Sequence, residues 1–197
     1  MTDTRNAQST TTHQENSMKA IQQVLSAALI SIALGQVAHA RDGEQHPSVP
    51  PALAVPAGNE VDVKFSASGV QIYRCLPSAQ VATEFAWTFI APEATLFNKA
   101  GKVAGRHYAG PTWEANDGSK IVGKVAAKAT SPDGTSIPWL LLTATVVQQG
   151  ETFEHIGFVQ RLQTSGGSAP ASGCTSDSAN TEVRVPYAAD YYFYSKD

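Results

Sequence analysis

Beyond residue 58, apolar and polar positions alternate with a period of two through most of the chain. Val61, Val63 and Phe65 alternate with Asp62 and Lys64, which predicts a half-buried strand. After Gly69 the alternation resumes, with Val70, Ile72 and Arg74 on one face and Gln71, Tyr73 and Cys75 on the other, until Pro77. Ala86 to Ile90 is aromatic and β-branched and is predicted to close at Pro92. A short apolar piece, Ala94 to Phe97, is followed by turn chemistry over 98–102 and a partner strand over 103–108. Thr112 to Ala115 leads into Asn116-Asp117-Gly118-Ser119, a strong hairpin signal because Gly accepts the positive φ of a tight turn, and Ile121 to Ala127 is the return strand. Asp133-Gly134 marks another turn. Residues 137–147 are almost continuously apolar with a β-branched end, which predicts a strand buried on both faces; a helix over 138–147 is the competing reading. Thr152 to Thr164 alternates imperfectly. Residues 165–180 read as a long Ser-, Gly- and Ala-rich loop, and Glu182 to Tyr194 as one strand, or two split near Pro186. About nine or ten short strands without an amphipathic helix predict an all-β domain, an antiparallel β-sandwich, with a closed β-barrel as the alternative.

The N-terminal part has a different character. Residues 1–17 are polar and aperiodic and read as a disordered or non-native extension. From Met18 a lysine, an apolar stretch from about Ile21 to Leu34 and Ala38-His39-Ala40 follow the layout of a secretory signal, cleaved after Ala40. The apolar run is short for a bilayer span, and an uncleaved anchor is the alternative. Met18 also has the look of a natural start. Residues 41–58, with four prolines, read as a linker leading into a single β-domain over 59–197.

Removing the first 40 residues leaves twelve basic and fifteen acidic side chains, a net charge of −3. The basic residues are dispersed, so no stripe suited to a phosphate backbone exists and nucleic acid is not an expected partner. No second long apolar segment occurs, so no stable membrane span is expected in the mature protein. The chain has two cysteines, Cys75 and Cys174. In an exported protein such an isolated pair predicts a disulfide, with two separate buried thiols as the alternative. Localisation is therefore expected in the periplasm or outside the cell.

Candidate chemistry concentrates between Gly105 and Ser119. Trp113 and Tyr108 offer flat apolar faces, and His107, Glu114 and Asp117 offer hydrogen-bonding groups, which together could floor a site for a small molecule or carbohydrate. The competing reading places Trp113 in the core, Asp117 in the turn and Glu114 in solvent. For catalysis, Glu114 and Asp190 are the acid and base candidates with His107 beside them, which would suit a carboxylate-dependent hydrolase. No Gly-x-Ser-x-Gly elbow supports a Ser119–His107 nucleophile. His107, His155 and Glu114 form a metal set only if their strands adjoin, and no metal or cofactor is expected. Tyr187, Ala189, Tyr191 and Phe193 share one face of the last strand, and Ala188, Asp190, Tyr192 and Tyr194 the other. Arg161 stands in an otherwise apolar strand and calls for a partner, with Glu93, Glu114 and Asp190 as candidates. The ligand-binding set is thus Tyr108, Trp113, Glu114 and Arg161.

Several segments carry a resemblance. They are Gly69 to Cys75, Ala91 to Phe97, Gly105 to Glu114, Asp117 to Lys120, Ile137 to Leu142, Gln160-Arg161 with Thr164, Gly166 and Gly167, and Val185 to Tyr194. Together they resemble the family named domain of unknown function 3455, over about residues 50–195. The resemblance implies export and one domain. It supplies no mechanism. Some fungal members carry a malate dehydrogenase label, but no strand here is followed by a Gly-x-Gly-x-x-Gly opening a helix, so the label is not carried onto this chain. Three functional expectations result: an exported binder of a small ligand or carbohydrate, a hydrolase working through carboxylates, or a structural or stress-related envelope protein.

Overall fold

A computed structural model describes residues 46–79, 81 and 83–196. The extension over 1–17 and the signal reading over 18–40 lie outside the described residues. The described part is all-β and antiparallel. Eight strands run β1 Asn59–Pro77, β2 Phe85–Phe97, β3 Val103–Tyr108, β4 Thr112–Ala115, β5 Lys120–Ala129, β6 Trp139–Gln148, β7 Ile156–Gly166 and β8 Glu182–Lys196. They pair in chain order, and β8 pairs back onto β1, closing a single ladder. The closed arrangement is the barrel alternative of the sequence reading, in one sheet instead of two facing ones. Among the described residues no helix is long and apolar enough to cross a membrane.

The strand count falls to eight because two predicted breaks do not break the chain. Gly69 lies inside β1, where a Cβ would come within 2.1 Å of the Glu93 carbonyl oxygen; glycine is what lets β1 and β2 approach so closely. Pro92 lies inside β2 and not at its end. β3 pairs with β2 only over residues 94–97, so Pro92 sits in an edge-like stretch that tolerates a missing N–H. Between these points Ile90 is bulged out, since Ile72 pairs Ala91 and Tyr73 pairs Phe89. Residues 139–148 are strand, as β-branching predicted over the helical alternative. The Asp117-Gly118 hairpin forms, with Gly118 at φ 84°.

Alternation divides the side chains between two cores. The larger draws on strands all around the ring and therefore fills the barrel: Phe65, Leu96, Trp113, Ile121, Leu142, Val159, Tyr191 and Phe193 belong to it. On β1, β2 and β4 large inward residues alternate with small ones (Ala67, Ala94, Ala115), which leaves room for the rings projecting from the opposite wall. One end is stoppered by Phe153, carried on the 3-10 turn Glu151–Phe153, whose ring lies 4.9 Å from Phe193 and 6.2 Å from Phe65. Asp117 accepts the Thr152 backbone N–H at 2.7 Å and so ties the stopper to the β4–β5 turn. The second core lies outside the barrel. Leu53, in a 3-10 turn of the proline-rich segment, is buried with Trp139, Leu141, Leu162, Tyr192 and Tyr194. Gln160 donates to the Leu53 carbonyl and accepts from the Tyr194 hydroxyl, both at 2.6 Å, which locks that segment onto β7 and β8.

At the end opposite the stopper, Cys75 and Cys174 form the disulfide expected from sequence. It fastens the long β7–β8 loop to the end of β1. Backbone bonds from Cys75 N to Thr181 O (2.9 Å) and from Asn180 N to Cys75 O (2.8 Å) reinforce the attachment.

Candidate functional site

The unstoppered end holds a cavity of about 470 Å³. Its position follows from strand lengths. β3 and β4 are short, so β2 before Ala94 and β5 beyond Val122 have no ladder partner on that side. Phe89, Ile90, Gly110, Pro111 and Val125 line the cavity beside this gap, and Phe89 and Val125 remain half exposed there. The Ile90 bulge explains how two successive residues both reach the cavity. Deeper in, the wall is Trp113, His107, Leu140, Leu142, Tyr73 and Tyr191, with Gln71 and Arg161 as its remaining polar members.

Trp113 forms the inner wall because Gly123 makes space for it. A Cβ on Gly123 would lie 2.8 Å from Trp113 Cζ3 and 3.0 Å from Leu142 Cδ2. His107 stacks on Trp113 with ring centroids 4.4 Å apart and an interplanar angle of 13°. Both contact Tyr191 edge-on. His107 Nδ1 lies 2.8 Å from the Thr112 carbonyl oxygen. A carbonyl only accepts, so the proton sits on Nδ1 and the lone pair on Nε2. Burial pushes the His107 pKa down to about 3, with the Arg161 charge acting the same way and the Thr112 bond opposing. His107 is therefore a neutral, orienting ring at physiological pH.

Arg161 enters from β7. Its Nε and Nη2 donate to the Pro138 carbonyl at 3.2 and 2.9 Å. The acidic partner expected for it is not there. Glu93 pairs with Arg184 at 2.7 Å, Glu114 with Arg106 at 2.9 Å, and Asp190 with Lys64 at 2.9 Å. The reason is alternation: Arg161 occupies an inward position, while those three carboxylates project from the outer face. Two further donors lie in this wall. Gln71 Nε2 and Trp113 Nε1 are buried and make no well-formed hydrogen bond among the described residues. The hydroxyls of Tyr187 and Tyr191 lie 3.4 Å apart, and burial raises the pKa of both, so they stay protonated.

The sequence-derived candidates separate into two groups. His107, Trp113 and Arg161 come together in the cavity wall. Tyr108, Glu114 and Asp190 do not join them. Glu114 lies on the outside of β4, where the Tyr108 hydroxyl donates to it at 2.8 Å and Lys120 approaches to 3.5 Å. The Tyr108 bond, with help from Arg106 and Lys120, holds the Glu114 pKa below its usual value. Asp190 is on β8, four strands around the ring from β4. Asp117 makes its turn, accepting from Ser119 N at 2.9 Å and Ser119 Oγ at 2.6 Å. His155 is exposed beside Glu154, away from His107. Among the described residues no three His, Cys, Asp or Glu side chains cluster to hold a metal. Sequence reasoning missed Gln71, Tyr73, Phe89 and Leu142 as wall residues. The signal for Gln71 and Tyr73 was present in the alternation of β1, which puts a glutamine on the same face as buried rings.

The chain matches the family described as Protein of unknown function (DUF3455) over residues 56–195. It belongs to that family. The DUF3455 match begins after Leu53 and covers the first seven strands and β8 to residue 195, including the whole cavity wall and both cysteines. Searches of curated proteins and of solved structures returned no match for this DUF3455 protein. Its disulfide is compatible with an exported protein.

Proposed function

We propose that this DUF3455 protein is an exported carrier or receptor of a small, largely apolar molecule bound inside the barrel. The observation that carries this reading is the cavity of about 470 Å³ at the disulfide end, walled by aromatic and aliphatic side chains with few polar groups. That size and composition are those of small-molecule sites, and eight-stranded barrels are wide enough to hold one such ligand. The half-exposed Phe89 and Val125 give an apolar ligand a path inward. A sugar suits the wall less well, because its many hydroxyls would meet chiefly carbon. The hydrolase reading has no comparable support, since Glu114 and Asp190 stand on the outer face in separate ion pairs.

The reading is tested with the neutral fluorophore N-phenyl-1-naphthylamine. The oxidised protein should enhance its emission saturably at one site. Gly123→Leu, whose side chain would push the Trp113 indole into the cavity, should abolish the enhancement while circular dichroism shows the β-fold retained. Failure of the native protein to bind, or undiminished binding by a folded Gly123→Leu, would sink the proposal.

A further inference from the structure

We propose that the natural ligand is a compact apolar molecule bearing a single carboxylate, and that Arg161 is the group that holds it. The inference rests on the cavity being a ligand site and specifies what that site selects.

Arg161 is the cation of the inner wall, and it lacks a counter-ion. Among the described residues none of the ion pairs includes it; its Nε and Nη2 donate to the Pro138 carbonyl, and its side chain also acts on the Tyr191 hydroxyl. A guanidinium has five N–H donors in a planar fork, so donors remain for a ligand and no negative charge answers its own. Its charge reaches Tyr73, His107, Tyr187 and Tyr191, and no carboxylate acts on any of these four groups. Arg161 is half-buried at the cavity, and a cation partly withdrawn from water gains from an anion beside it. Here every nearby acid is committed on the outer face, and the cavity is the direction from which an anion can still come.

Two neutral donors of the wall point the same way, while the His107 Nε2 lone pair is the acceptor beside them. Gln71 Nε2 and Trp113 Nε1 are both donors without a well-formed hydrogen bond, the Gln71 side chain acting only on the Tyr187 hydroxyl. A ligand rich in donors would set donor against donor, and a cationic one would face Arg161 directly. An acceptor group satisfies the wall. One arginine balances one negative charge, and its fork matches a carboxylate in two-point contact. The rest of the lining (Phe89, Leu140, Leu142, Trp113) suits a ring or a short hydrocarbon body.

The test uses the full oxidised chain and three probes with one apolar body: 1-naphthaleneacetate, its neutral amide 1-naphthaleneacetamide, and 1-naphthylmethylamine, each titrated calorimetrically at pH 7. The acid should bind about tenfold or more tightly than the amide, from the charge-assisted hydrogen bonds it alone makes, and the amine should be weakest. Arg161→Met should bring the acid down to the level of the amide and leave the amide within about twofold. Arg161→Lys should keep part of the preference. Equal binding of acid and amide by the native protein, a comparison that needs no variant, overturns the inference while leaving the cavity reading intact. So does a preference that survives in Arg161→Met. If the native protein binds none of the three, the cavity reading falls with the inference.

Discussion

Breaking the Cys75–Cys174 bond should cost this barrel several kcal/mol of stability without changing its folded structure. The bond joins residues 99 apart in sequence. In the chain-entropy treatment, freeing a loop of that length returns about 4.7 kcal/mol of disorder to the unfolded chain. The native side of the balance moves little. The β7–β8 loop remains attached through Cys75 N to Thr181 O, Asn180 N to Cys75 O, and Trp87 Nε1 to Ser172 O, all between 2.8 and 2.9 Å. For a domain of this size the loss should lower Tm by roughly 10–20 °C. The assay is urea unfolding of the oxidised protein, the chemically reduced protein and Cys75→Ala/Cys174→Ala. The reduced form isolates the loop effect. The double variant adds on the order of 1 kcal/mol for the space left at fully buried Cys75. The slope m should rise in both, because an unlinked chain exposes more surface when it unfolds. A loss below about 1 kcal/mol, or an unchanged m, would refute the argument that the crosslink acts through the unfolded state.

Three other outcomes follow from particular contacts. Gly123→Ala should destabilise by about 1–3 kcal/mol through overpacking, since its Cβ would lie 2.8 Å from Trp113 Cζ3; thermal unfolding checks it, and a neutral result would mean the indole has room to retreat. His107 has a folded pKa of about 3, below the value near 6.5 of an unfolded histidine, so the unfolded chain binds the extra proton first. Its contribution is therefore complete above about pH 6.5 and drains away toward pH 3 at a slope of up to roughly 1.4 kcal/mol per pH unit, and His107→Phe should flatten that slope in urea midpoints measured from pH 7 to 4. Gln160→Leu should strand the Tyr194 hydroxyl and the Leu53 carbonyl at about 1–3 kcal/mol each and loosen the proline-rich segment, which faster amide exchange at Leu53 would register.

How far the chain could be read depended on the range of the physics involved. Period-two alternation is local, and it correctly sorted Gln71 and Tyr73 from Ile72 and Arg74, and Tyr191 and Phe193 from Asp190 and Tyr192. The turns at 98–102, Asp117-Gly118 and Asp133-Gly134 were legible for the same reason, because positive φ at Gly101, Gly118 and Gly134 has a residue signature. Gly69 and Pro92 misled because their meaning depends on neighbours. A glycine can mark the end of a strand or a close strand approach, and a proline can end a strand or occupy a stretch with a partner on one side only. Ring closure is a statement about β8 meeting β1, over 100 residues apart, and no local pattern encodes it. The site divided along the same line. Trp113, His107 and Arg161 attracted notice as residue types, whereas Glu114 and Asp190 were linked with them only by the guess that outer and inner faces meet. The face of each strand was readable, but which faces enclose the cavity was not.

The claim at the centre of this account is that the barrel interior, and no other surface, receives the ligand. Three tryptophan indole N–H groups report on it by nitrogen–proton correlation spectroscopy during titration with N-phenyl-1-naphthylamine. Trp113 lines the cavity, Trp139 is buried in the outer core, and Trp87 bonds Ser172 O in the loop region. The account predicts that the Trp113 indole resonance moves saturably while that of Trp139 stays fixed. A fixed Trp113 resonance at saturation, or movement confined to Trp139 and the outer face, would contradict it.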